Sequence, residues 1–176
     1  MNKKLMVSAL KLLDQRIPSA IRVIIGGGAA MAYAYDIPIA TEDIDAVPDR
    51  STVELATFHK EVAAVGLELG IAANWLNDHF SPFLFVLPRD YGDRLVAIYQ
   101  GKHLDVRALG KEELVLMKCF AGREKDIPHI RTLLRTSPSL KVIDKRLQEL
   151  LEKKIPGAQK AADLFDDLCG ELGLSA

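Results

Sequence analysis

Two stretches decide the fold when read together: Ile21-Arg22-Val23-Ile24-Ile25-Gly26-Gly27-Gly28 and Thr41-Glu42-Asp43-Ile44-Asp45-Ala46-Val47. The first is a β-branched run that stops at three glycines and continues into the small residues Ala29-Ala30-Met31-Ala32-Tyr33-Ala34-Tyr35. It reads as strand, glycine turn and tightly packed helix. That helix must end near Asp36-Ile37-Pro38, because proline disfavours helical geometry in the residue before it. The second stretch alternates acidic and apolar positions, the pattern of a strand with one face in a core and one on a site, and Pro48 closes it.

Outward from this centre, Leu5, Ala9, Leu12 and Leu13 fall at helical spacing in an opening helix that Pro18 ends. Ser51-Thr52-Val53-Glu54 fits a capping box and predicts a helix to about Leu67. The aromatic, irregular text from Trp75 to Leu87 predicts a loop or short strand over the sheet. Residues 95–99 and 103–108, separated by Gln100-Gly101-Lys102, predict an antiparallel hairpin. From Lys111 the pattern is helical throughout, about 111–121, 126–136, 139–152 and 158–173. The expected class is α/β (α+β): a small mixed sheet with flanking helices over 1–110, then a helical C-terminal part over 111–176, packed as one unit. Ala30-Met31 stands where the third glycine of G-x-G-x-x-G would be, which argues against a dinucleotide-binding Rossmann fold.

Composition narrows the classes. With 176 residues, 49% of them hydrophobic, and 23 basic against 24 acidic groups, the chain suits one compact domain with a small helical extension, neither disordered nor fibrous. No apolar run approaches the roughly 18 to 20 residues that span a bilayer, and the amphipathic start has no cleavage site, so a cytoplasmic protein with no membrane partner is expected. Cys119 and Cys169 lack C-x-x-C spacing and read as buried thiols, not zinc ligands. Charge is uneven: residues 1–110 carry 11 basic and 13 acidic groups, and residues 111–160 carry 12 and 7. The basic stretch either holds a polyanion or forms solvated helix faces.

Asp43 and Asp45, one residue apart on the expected strand, leave the same face about 6.5 to 7 Å apart at the backbone. Two carboxylates repel there unless a cation sits between them, and Mg²⁺ is the natural choice. Asp105, between Leu104 and Val106 on another expected strand, would complete a triad if the strands were neighbours. Gly26 and Gly27 open a helix whose amides can approach a phosphate, and Thr41 shares the face of Asp43. Lys118 falls on the apolar face of its helix with Leu114, Met117 and Ala121, so it must snorkel or meet an anion, either a substrate phosphate or a carboxylate. Asp126, before Ile127-Pro128, reads as an N-cap. His59 and His79 read as surface residues; His103 and His129 are undecided.

Together the glycine pair, Thr41-x-Asp43-Ile44-Asp45, Asp105, Lys118-x-x-Ala121 and Lys125-Asp126-x-x-His129 resemble the DNA polymerase β type nucleotidyltransferase superfamily, and within it the AbiEii-like, toxin-type branch. The resemblance covers residues 20–136. It implies transfer of a nucleoside monophosphate from a nucleoside triphosphate (NTP) to a hydroxyl. Asp43 and Asp45 would bind Mg²⁺, or Mn²⁺ in its place, and Asp105 would act in metal binding or as the base. Lys118 would contact nucleotide beside Gly26, Gly27 and Thr41, and Asp126 shifts from cap towards site. It further implies an RNA acceptor, such as the acceptor end of transfer RNA, and a separately encoded antitoxin protein. Ile39 and Ala40 depart from the basic residue that many relatives carry before Thr41. The alternatives are a non-catalytic nucleotide- or antitoxin-binding module, or a transferase acting on a small molecule or a protein hydroxyl.

Overall fold

The β-branched run Ile21–Ile25 is the centre of the sheet, β1, and four of its five residues are buried. In the computed structural model, which describes residues 2–175, it is flanked on one side by antiparallel β2 (Ile44–Ser51) and on the other by parallel β5 (Leu104–Ala108). β5 pairs antiparallel with β4 (Val96–Gln100), and the two-residue β3 (Leu76–Asn77) adds parallel to the start of β2, so the order is β3-β2-β1-β5-β4. This is a mixed sheet, with the hairpin where the Gln100-Gly101-Lys102 turn places it.

The chain divides into two units. The first runs to Ser81 and resumes over Leu95–Leu109; the second holds Pro82–Arg94 and the chain from Gly110 onward. Besides the sheet, the first unit contains α1 (Lys3–Arg16), α2 (Gly27–Ala34) and α3 (Leu55–Leu69). The Asn2 side chain caps α1 by accepting from the Leu5 amide at 2.9 Å. The buried stripe of α1 is Met6, Ala9, Leu10 and Leu13, one position round from the spacing read in the sequence. Asp14 on the same helix accepts backbone N–H bonds from Lys102, His103 and Leu104 at 3.0, 2.7 and 2.7 Å, tying the hairpin turn to α1.

Two local expectations are corrected. Pro48 does not end β2: the strand runs on to Ser51, with a register shift opposite Arg22 and Val23. β3 pairs only with Ile44 and Asp45, so at Pro48 the strand is an edge, where a missing N–H costs little. Nor does Ser51 start a capping box. Its hydroxyl accepts from the Val53 amide at 3.2 Å and donates to the Val53 carbonyl at 2.7 Å, closing a turn before α3, whose N-cap Glu54 makes no side-chain cap bond.

The second unit is helical: α4 (Lys111–Ala121), α5 (Ile127–Arg135), α6 (Leu140–Glu152) and α7 (Ala158–Glu171), with α4 packed against the other three. Pro82–Arg94 contributes two 3-10 segments, Ser81–Val86 (beginning at the unit boundary) and Tyr91–Arg94, held to α6 through Arg146, whose guanidinium donates to the carbonyls of Val86 and Phe85 at 2.9 and 2.8 Å. Cys119 and Cys169 are both buried and unbridged, and burial pushes the Cys119 thiol up to about 12. Among the described residues no helix is long and apolar enough to cross a membrane.

Candidate functional site

Where β1 stops, Gly26 donates its N–H to the Asp45 carbonyl at 2.9 Å, so the glycine turn and the acidic strand meet directly. Gly26 is closely covered: a Cβ there would lie 3.2 Å from the ring of Phe80, which would have to shift by a few tenths of an ångström. Gly27, the first residue of α2, has φ +59°, a left-handed conformation that glycine adopts without steric cost. A Cβ at Gly27 would collide with Asp45 Oδ2. The second glycine is therefore the space into which the Asp45 carboxylate fits, at the mouth of the first turn of α2.

Asp43 lies one residue before β2, in a bend. The two carboxylates therefore share their space through the turn before the strand, not through strand alternation. Thr41 shapes that turn: its hydroxyl donates to the Asp43 carbonyl at 2.7 Å, and it lies 3.8 Å from where a Gly28 Cβ would be. Asp43 Oδ2 accepts from the Asn77 amide at 2.9 Å. Asn77 Oδ1 in turn accepts the His79 backbone N–H at 3.1 Å. Ligand atoms of Asp43, Asp45 and His79 all lie within 4.8 Å of one another, with the two aspartates half-buried and the histidine exposed.

Asn77 is not singled out by the sequence, and His79 is read there as a surface residue, which its exposure bears out. They reach the site through pairing of Asp45 with Asn77 across β2 and β3. Trp75 makes that pairing possible: it is fully buried, its indole donates to the Val62 carbonyl at 2.9 Å, and its own carbonyl accepts from Ile44 N at 2.7 Å. The one sequence signal is the polar run Asn77-Asp78-His79 inside an aromatic stretch.

Asp105 does not converge with the pair. β1 lies between β2 and β5, and Asp105 is in register with Arg22, whereas Asp45 is level with Gly26, four residues further along β1. At about 3.3 Å per residue and 4.8 Å per strand that is roughly 16 Å. Asp105 instead accepts from Arg22 Nε at 2.7 Å and Arg107 Nε at 3.0 Å. Burial alone would raise its carboxyl, but the two guanidiniums outweigh this and hold it below the usual carboxylate value.

In the second unit, Lys118 is buried on α4 and meets a carboxylate, with Nζ 2.6 Å from Asp126 Oδ1. Asp126 occupies the N-cap position of α5, with Pro128 in the first turn as read from the sequence, but its carboxylate makes no cap bond and is spent on the two cations instead. Its other oxygen accepts from Arg123 Nε at 2.6 Å. Burial pulls its pKa up, yet the bonds from Lys118 and Arg123 win, and the carboxyl sits below its ordinary value. His129 Nδ1 lies 3.3 Å from Lys118 Nζ. Burial and that ammonium push the imidazole below its ordinary value, partly offset by Asp126.

Of the basic side chains that the charge distribution points to, Arg123, Arg131 and Arg146 are committed to Asp126, Glu171 and the carbonyls of Phe85 and Val86. Arg135, Lys141 and Lys145 are exposed. Lys145 also lines a cleft of about 400 Å³ with Arg89, Lys153 and Val142.

A family model described as a nucleotidyltransferase of unknown function (DUF6036) matches residues 4–165. No curated protein and no solved structure matches the chain.

Proposed function

The chain belongs to this family of nucleotidyltransferases, and from that premise we propose that it moves a nucleoside monophosphate from a nucleoside triphosphate to a hydroxyl of RNA, as a toxin-type enzyme of the AbiEii-like branch. The observation that carries the reading is the carboxylate pair Asp43 and Asp45 seated against the glycine turn. Their ligand atoms are close enough to share one ion, they are half-buried without being sealed off, and their oxygens suit a hard divalent cation such as Mg²⁺. Asp43 and Asp45 would hold it; when bound, the cation neutralises triphosphate charge and steadies the departing pyrophosphate.

The chain's own groups supply the rest. Gly27 leaves room for the Asp45 carboxylate at the first turn of α2, where the positive end of the helix dipole would favour an anion. Thr41 fixes the bend that carries Asp43, and Asn77 orients the Asp43 carboxylate. The resemblance would give Lys118 a nucleotide contact and Asp126 a part in activity; within the second unit the two form a buried ion pair. The exposed Arg135, Lys141 and Lys145, with the second-unit cleft where Arg89, Lys145, Arg146 and Lys153 outnumber Asp90 and Glu149, suit the phosphates of an RNA acceptor.

The test incubates the protein with Mg²⁺, total bacterial RNA and each α-³²P-labelled nucleoside triphosphate in turn, with Asp43→Ala plus Asp45→Ala as the blank. A labelled RNA band that the double variant loses is the expected result. Label on the protein would replace the acceptor with a protein hydroxyl. No label with any nucleotide and any acceptor preparation would overturn the transferase.

A further inference from the structure

His79 stands beside the acidic pair. One of its ring nitrogens lies within 4.8 Å of a carboxylate oxygen of each aspartate. Around an ion with bonds of about 2.1 Å, neighbouring ligand atoms stand about 3 to 4.2 Å apart, so the observed limit of 4.8 Å closes with a small movement of exposed side chains. Asn77 couples two of the donors: it holds one Asp43 oxygen and anchors the backbone that carries His79. Partners of this kind set the orientation of metal ligands. The third carboxylate expected here, Asp105, is elsewhere in the sheet, bound by two arginines.

We propose that His79 is the third ligand of the Asp43 and Asp45 site, and that this site therefore selects a first-row transition-metal dication over Mg²⁺. The inference rests on the assignment of the two aspartates as cation ligands. Mg²⁺ favours an all-oxygen shell and keeps its waters, so an imidazole adds little for it. Transition-metal dications gain from a nitrogen donor, and one histidine with two carboxylates is a donor set they accept.

The experiment uses the full chain stripped with EDTA and titrated with MnCl₂. Electron paramagnetic resonance counts free Mn²⁺, and pulsed measurements look for ¹⁴N coupling on the bound ion. The wild type should show nitrogen coupling. His79→Gln should lose it and bind Mn²⁺ on the order of 10-fold more weakly, with competition by Mg²⁺ changed less than about 2-fold. Because His79 is exposed, folding should be unaffected, which circular dichroism checks. Bound Mn²⁺ without nitrogen coupling, lost on Asp43→Asn plus Asp45→Asn, would overturn the role of His79 and leave the pair standing. Mn²⁺ binding that survives the double aspartate change would overturn the pair itself.

Discussion

Replacing Gly27 by alanine imposes two separable costs. The backbone at φ +59° is left-handed, and there an alanine is disfavoured by about 1 to 2 kcal/mol. In addition, the new methyl would occupy the position of Asp45 Oδ2, so the carboxylate must move by about an ångström or more to restore van der Waals contact. Gly70 isolates the first cost: its φ is +65°, and a Cβ there meets nothing within 4 Å. For a chain of this size 1 kcal/mol corresponds to about 2 to 4 °C in Tm. Gly70→Ala should therefore lower Tm by about 2 to 8 °C and leave Mn²⁺ affinity within about 2-fold of wild type. Gly27→Ala should lose at least as much in Tm, and its Mn²⁺ affinity should fall on the order of 10-fold, because a positioned ligand is displaced. Thermal denaturation and isothermal titration calorimetry measure both variants. Wild-type affinity in Gly27→Ala, or an equal loss in Gly70→Ala, would refute the claim that Gly27 exists to seat Asp45.

Asp126→Asn leaves the buried Lys118 ammonium without its countercharge and should cost about 3 to 5 kcal/mol in denaturant unfolding. The folded pKa of Asp126 is depressed, so its stabilisation is fully present above the ordinary carboxyl value and lost as pH falls through the lower folded value. The acid limb of a stability profile below about pH 4 should accordingly be shallower in Asp126→Asn than in wild type. Asp14→Ala strips acceptors from the amides of Lys102, His103 and Leu104, and hydrogen exchange should accelerate at those three positions while β1 stays protected. Asp105→Asn should lower Tm by freeing Arg22 and Arg107, yet leave Mn²⁺ affinity within about 2-fold; a 10-fold loss would mean that Asp105 reaches the cation after all.

What was legible in the sequence is what local chemistry decides. Ile21–Ile25 has a β-branched pattern that no neighbour has to rescue, and Gly27 carries a backbone requirement that few other residues meet. The hairpin around Gly101 and the helices after Lys111 follow from turn residues and apolar spacing. The misses share one cause, a partner distant in the chain. Pro48 reads as a terminator because nothing local reveals that β2 has become an edge strand there. Ser51-x-x-Glu54 has capping-box spacing, but the strand still occupies Ser51 when the box would have to form. Asp126 looks like a capping side chain until Lys118, eight residues earlier, turns out to be buried beside it. His79 is invisible for the same reason: it joins Asp43 and Asp45 only because a two-residue parallel pairing brings Asn77 alongside Asp45.

Trp75, the chain's single tryptophan, sits at the joint of that short pairing, bonded to α3 through its indole and to the start of β2 through its carbonyl. The protein consequently carries an intrinsic fluorophore two residues from Asn77, sealed from solvent when the segment is docked. Its emission needs no unmixing from other indoles. A blue, shielded spectrum reports the loop seated on β2, and a red shift reports its release, so the assembly of the acidic site can be timed in a stopped-flow instrument without a label.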